Sequence, residues 1–272
     1  MIVEKVERRI LGAMRLVNAV SSLPISHPIS IVGEGLRLVR NLHGEYVILD
    51  APGLSEHTRA FETPPGAPAV QSIKIPVNIT DPLGEFLPQR FVVELPRYAD
   101  PTKANSIFKP VLIPLYLGPT ARSEINWVLV HATVREQTSR KRLPWTLIHV
   151  RKKSDDELLA TGMSDSRGEA LIVVAGILFA MPAEDSSTTV TREIEVHLKS
   201  YFDKDQLEPI SDADMIQDQP NPNADYLPNV SLLEQLPSRS VQIQGHGNSA
   251  PSDTINIAAG QILVADLLVD LS

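Results

Sequence analysis

The chain contains no cysteine, so disulfides, thiolate metal ligands and thiol nucleophiles play no part in it. Aromatic residues are few, at 5%, which argues against a wide array of rings for stacking sugars or bases. Positive charge is in deficit: 25 Lys and Arg against 33 Asp and Glu give a formal net charge of -8. A nucleic acid as main partner is therefore disfavoured, because binding to the phosphate backbone depends on a clustered cationic surface. The two short basic knots, Arg140-Lys141-Arg142 and Arg151-Lys152-Lys153, read as solvated strand ends or loops, or as points of docking on an acidic partner. No apolar run reaches the length of about 18 residues that would suggest a membrane-crossing helix. Glu4, Lys5, Glu7, Arg8 and Arg9 fall where an export signal needs an unbroken apolar segment. The sequence thus predicts a cytoplasmic protein without membrane insertion, and the sequons Asn78-Ile79-Thr80 and Asn229-Val230-Ser231 read as chance matches.

With 272 residues, 43% of them hydrophobic and 21% charged, the chain suits one large globular domain or two ordinary modules. Its 22 prolines and 14 glycines are spread between short apolar runs instead of pooled in a linker, the punctuation of a many-stranded β protein. Runs rich in β-branched and aliphatic residues predict strands over residues 29–32, 46–49, 72–79, 91–95, 111–117 and 127–134. Others are predicted over 146–150, 158–162, 170–174, 192–199, 241–244 and 262–268. This spacing favours an all-β sandwich over alternating strands and helices. Helix is expected only in residues 3–20 and in part of 229–236; the first segment suits a helix through Val6, Ile10 and Leu11 and a strand through Met14 to Val20.

A short motif recurs three times: Asn41-Leu42-His43-Gly44-Glu45-Tyr46, Asp81-Pro82-Leu83-Gly84-Glu85-Phe86 and Asp165-Ser166-Arg167-Gly168-Glu169-Ala170. The spacing predicts a tight turn. Asn or Asp can accept hydrogen bonds from the backbone two residues on, and glycine takes the positive φ that ends the turn, so that the next strand starts in register. The third copy, within Leu158 to Leu171, resembles the strand-turn-strand signature of carboxypeptidase regulatory-like, or transthyretin-like, domains. Residues 15–25 are similar to that family's opening strand, and Leu36 to Leu49 to its strand-turn-strand element. The resemblance implies two immunoglobulin-like sandwich modules, over residues 1–100 and 101–200, and no catalysis. The paired modules are also similar to accessory proteins encoded with phage-tail-like contractile injection systems. That likeness implies a structural cap or baseplate component that contacts other protein subunits in a homo- or hetero-oligomer. A carbohydrate-binding or adhesin-type sandwich is the alternative.

Residues 201–237 lose the strand pattern. Asp203, Asp205, Asp212, Asp214, Asp218 and Asp225 alternate with Pro209, Pro220, Pro222 and Pro228, which predicts an extended acidic arm. Its apolar residues Tyr226, Leu227, Val230, Leu232, Leu233 and Leu236 are the candidate partner-binding positions, to be covered by a neighbouring subunit or by the protein's own sandwich. Residues 238–272 are expected to supply closing strands, or an edge strand that pairs with a partner.

Signatures of chemistry are sparse. There is no Gly-x-Ser-x-Gly elbow, and Ser164 and Ser166 flank a turn that needs no catalytic role. The seven histidines are scattered; His131, His149 and His197 fall within strand patterns as single residues, not at metal-ligand spacing. The pairs Asp203/Asp205 and Asp212/Asp214 offer oxygen ligands for calcium but lack the glycine and closing glutamate of an EF-hand. No metal or cofactor is expected. Trp127 and Trp145 are read as core anchors.

Overall fold

The computed structural model describes residues 10–54, 72–98, 100–122, 127–177, 193–213, 221–223, 225–245 and 248–272, and within them the protein is all-β apart from short turns of helix. The chain divides into two compact units. The first takes the described residues up to Asn18, those from Ser22 to Pro82 and those from Pro88 to Leu115. The second takes Ala19–Ser21, Leu83–Leu87 and those from Tyr116 to Ser272. The boundary expected after residue 100 lies instead after Leu115.

Unit one contains β1 (Gly12–Asn18), β2 (Ser30–Val32), β3 (Arg37–Arg40), β4 (Tyr46–Asp50), β5 (Ile73–Thr80), β6 (Gln89–Leu95) and β7 (Val111–Leu115). They form one sheet in the order β3-β4-β1-β7 and another in the order β2-β5-β6. Parallel pairing of β7 with β1, from Met14↔Val111 to Asn18↔Leu115, moves the unit boundary, because β7 completes the first sheet. In the described part of the ambiguous opening segment, Gly12–Asn18 is strand and Ala19 and Val20 begin a turn. Met14 and Leu16 are buried alternately with the more exposed Arg15 and Val17, the period of two that a half-buried strand requires. The remainder, residues 3–9, lies outside the described residues. Tyr46 ties the segment leading into β2 to β4: its hydroxyl accepts from the Ile29 N–H at 2.6 Å and donates to the Ile29 carbonyl at 2.7 Å.

Unit two contains β8 (Val128–Glu136), β9 (Leu147–Lys152), β10 (Leu158–Met163), β11 (Glu169–Val174), β12 (Ile194–Tyr201), the single-turn helix α1 (Val230–Leu233), β13 (Arg239–Gly245), β14 (Asn248–Ser252), β15 (Thr254–Ile257) and β16 (Ile262–Val269). The main sheet path is β10-β9-β12-β13-β16-β8-β11, with β14 on β13 and β15 on β12. β13 pairs with β12 through Arg239 and Ser240 and with β16 through Val241 to Gly245, so one strand joins two layers. At the other end of the path a bridge between Ser164 and Ala170 joins the β10–β11 hairpin. The inward side chains, among them Val130, Val150, Ile172, Val196, Leu198, Ile243, Leu263 and Leu267, form the core.

The segments expected to stand apart as arm and closing strands belong to unit two. Phe202, Leu207, Ile210 and Leu233 are buried. Ile210 and Arg142 exchange backbone hydrogen bonds of 2.7 and 2.9 Å. Buried Asn223 accepts the Trp145 indole N–H on its carbonyl at 3.2 Å, while its side chain accepts from the Glu208 N–H at 3.2 Å and donates to the Glu208 carbonyl at 2.9 Å. Acidic and proline-rich as it is, the segment gains enough buried surface and backbone pairing to offset its ordering, and it runs as a strap over its own unit. Asp214, Asp218 and Pro220 lie outside the described residues.

Gly162 leaves no room for a side chain between β10 and β11, since a Cβ there would lie 2.8 Å from Ile172 Cγ1. Replacement Gly162→Ala is expected to destabilise unit two by about 1–3 kcal/mol, the usual cost of overpacking, measurable as a lowered midpoint in urea unfolding.

Candidate functional site

The recurring motif folds as its spacing predicts in two copies with the same hydrogen bonds. In each, the N–H of the first residue donates to the carbonyl of the glutamate, at 2.8 Å for Asn41 and 2.7 Å for Asp165. The glycine N–H donates back to the first residue's carbonyl, at 3.1 Å in both. The Oδ1 atom of Asn41 accepts from His43 and Glu45 N–H groups at 3.0 and 2.9 Å; that of Asp165 accepts from Arg167 and Glu169 at 2.8 and 3.0 Å. Gly44 and Gly168 have φ of 80° and 78°, a region that costs other residues. In the middle copy Gly84 also has a positive φ, 70°, but the buried Asp81 carboxylate meets His27 Nε2 at 2.9 Å. That copy does not close directly into a hairpin: the Glu85 carbonyl accepts from Gly118 and the Leu87 N–H donates to Tyr116 before the chain reaches β6.

Each hairpin glutamate meets an arginine. Glu45 accepts from the guanidinium of Arg15 on β1 and from the Asn41 amide, and Arg15 holds its carboxyl below the usual carboxylate range. Glu169 accepts from Arg142 and Arg167, both at 3.1 Å. Arg142 also donates to Asp212 on the strap at 2.6 Å, and Arg135 of β8 donates to the same carboxylate at 3.0 Å and lies 3.5 Å from Asp266 of β16. Hydrogen bonds from Arg142 and Arg135 hold the Asp212 carboxyl below the usual range. The result is a ladder of alternating charge, Asp165-Arg167-Glu169-Arg142-Asp212-Arg135-Asp266, that fastens the strap to the β8, β11 and β16 face.

Beside this ladder lies an open groove of about 650 Å³ whose lining includes Thr120, His131, Thr133, Glu169, Gln244 and Asp266. Val264 contributes an apolar floor and is 67% exposed, although β16 is an interior strand of its sheet. Glu169 and Asp266 are engaged with arginines and Gln244 accepts from Arg140 at 2.9 Å. His131 and Thr133 add hydrogen-bonding groups to that floor. Both acids of the groove thus have arginine partners, which leaves His131, Thr133 and the exposed Val264 as its other contact groups.

Other candidate residues have definite places. Ser164 is buried, donating to the Leu143 carbonyl and accepting from the Thr146 N–H, both at 2.9 Å, so it ties β10 to the segment before β9. His197 meets Asp156 at 2.9 Å. Trp145 is buried and Trp127 half-buried. Among the described residues no three His, Asp or Glu side chains converge as a metal site. Asp212 is held by two arginines, and Asp203 Oδ1 accepts the Asp205 N–H at 3.2 Å; Asp214 lies outside the described residues.

Of the six candidate partner-binding residues, Leu233 is 1% exposed, and Tyr226, Val230 and Leu236 pack half-buried on the core of unit two. Leu227 is half-buried too, and Leu232 alone is freely exposed, at 57%. Among the described residues, the strap therefore buries most of its apolar side chains on its own unit. Sequence reading missed Arg15 as the partner of Glu45, and Arg135 and Asp266 as parts of the ladder. The only local signal for the third arginine, Arg142, was the basic knot that contains it.

No family model, curated protein or solved structure matches the chain.

The two equivalent turns supply a test. Replacement Asp165→Ala removes the acceptor for two backbone N–H groups and is expected to cost about 1–3 kcal/mol, whereas Asp165→Asn, the residue used at position 41, is expected to keep most of the stability in urea unfolding. A second expectation concerns pH. Because the folded-state carboxyls of Glu45 and Asp212 are lowered, their contribution is present above the ordinary carboxylate range and is lost as pH falls through and below it. Hydrogen exchange over residues 207–212 should accelerate there, and Arg142→Leu should bring that acceleration to neutral pH.

Proposed function

We propose that the chain is a non-catalytic structural component of a larger protein assembly, of the cap or baseplate accessory kind found in phage-tail-like contractile injection particles, and that it acts in the cytoplasm through contacts with other subunits. The observation that carries this reading is the division of labour among its side chains. The acids that sequence and structure single out, Glu45, Asp165, Glu169 and Asp212, are taken up in holding turns and the strap. Large apolar residues meanwhile stay exposed on sheet strands, Val39 and Leu112 in unit one and Ile262 and Val264 in unit two. Surfaces of that composition gain from being covered by another protein. The resemblance of the turn motifs to regulatory-like sandwich domains, which decorate larger proteins and particles, supports the same reading.

The test is affinity purification of the tagged full chain from its native cells at low salt, followed by mass spectrometry and negative-stain imaging. Recovery in stoichiometric amounts with tube, sheath or baseplate proteins, in visible particles, is the expected outcome. Recovery of the chain alone as a monomer overturns the proposal.

A further inference from the structure

His149 has surroundings that its place in a strand does not explain. By strand alternation it shares a face of β9 with Leu147 and Arg151, while Ile148 and Val150 share the other, and Leu147, Ile148 and Val150 all belong to the core. His149 itself is only 6% exposed. Both ring nitrogens are buried without a hydrogen-bond partner, a rare and costly condition for a polar side chain. Its ring stands edge-on to Tyr201 of β12, with centroids 4.8 Å apart. From the strap, Glu234, the residue that ends α1, brings its carboxylate to 3.8 Å from Nε2.

The charged groups around this histidine decide what a proton would do there. On β9 itself Arg151 is the next residue on the same face, and on β12 Lys199 is the residue directly paired with His149. Tyr201 follows on β12, and the opposite residue on β10 is the uncharged Thr161. Among the described residues of the strap, Glu234 brings the one carboxylate near the ring, half-exposed to solvent; it also acts on Tyr116, whose hydroxyl is held in its neutral form mainly by burial. Burial first, then Arg151 and Lys199, lower the affinity of His149 for a proton. With the strap lifted, water would reach the ring and hydrate the imidazolium.

We infer that the α1 end of the strap, Tyr226 to Leu236, is a latch that opens on acidification, with protonation of His149 as its trigger. The sign follows from linkage. A histidine whose closed-state proton affinity is lowered stabilises closure fully above its ordinary titration range, near pH 6.5, and that contribution drains away as pH falls through the range. Each unit of difference in pKa between open and closed forms changes the opening equilibrium by roughly tenfold. The Asp212 ladder is lost only under more acidic conditions, in and below the carboxylate range, so the two ends of the strap release in separate windows.

The test is hydrogen-exchange mass spectrometry on the full chain at about pH 7.5 and about pH 5.5, above and below the ordinary histidine range, with rates corrected for intrinsic exchange. Peptides spanning residues 226–236 are expected to lose protection several-fold at the lower pH, on the order of one pKa unit's worth, while peptides from β8 and β16 keep theirs. His149→Phe, which keeps an apolar ring in place, is expected to abolish the change. Lys199→Met, at a partly exposed position, guards against a His149 variant that fails to fold and should reduce the change. An unchanged latch in the parent protein overturns the inference, as does the same loss of protection in His149→Phe or Lys199→Met.

Discussion

The fold of unit two depends on one pairing, that of β16 with β8. Eight residue pairs in unbroken parallel register, from Ile262↔Leu129 to Val269↔Glu136, place a strand from late in the sequence beside one from its middle. Without β16, β8 and β11 would be cut off from β13, and the inward side chains Leu263, Ala265 and Leu267, each nearly or wholly buried, would leave the core open. Contacts between residues this far apart in sequence carry a high loop-closure cost. The strand's composition meets that cost with inward positions occupied by Leu, Ala and Val, with pairing to β8 along its whole length and to β13 from Ala265 to Val269.

Most strands were legible because their signal is local. Period-two burial over β5, where Ile75, Val77 and Ile79 are buried between more exposed neighbours, and dense β-branched runs over β8, β11 and β16 leave little choice of secondary structure. The boundary between units was not legible in the same way. It depends on β7 pairing with β1, and nothing in Val111-Leu112-Ile113-Pro114-Leu115 names its partner. The strap shows the complementary failure. Its aspartates and prolines signal an irregular chain, correctly, yet irregular does not mean unanchored. Leu207, Ile210 and Asn223 are isolated anchors in a polar stretch, and single residues leave no periodicity to read.

At the candidate site the turns of Asn41 and Asp165 were legible in the side-chain bond two residues on and in the glycine's positive φ, while the second bond, to the glutamate N–H, was not. Arg15 and Arg135 come from other strands and Arg142 from the segment between β8 and β9, and such pairing is set by register and loop path, which sequence alone does not give. His149 falls within a strand pattern as a single residue, with nothing nearby in sequence to set it apart, yet its ring is buried and makes no hydrogen bond.

The parallel arrangement of β8 and β16 also has a mechanical meaning. A pull applied between the N-terminal end of β8 and the C-terminal end of β16 runs along both strands in opposite senses, so it loads the register in shear and its eight pairs resist together. Antiparallel neighbours such as β9 and β10, pulled from the ends away from their turn, separate one pair at a time, as a zipper does. Resistance to force along that direction is governed by the rate of breaking such a unit and not by its equilibrium stability alone. The strand pairing that closes the core of unit two thus also makes it a tension clamp along one axis.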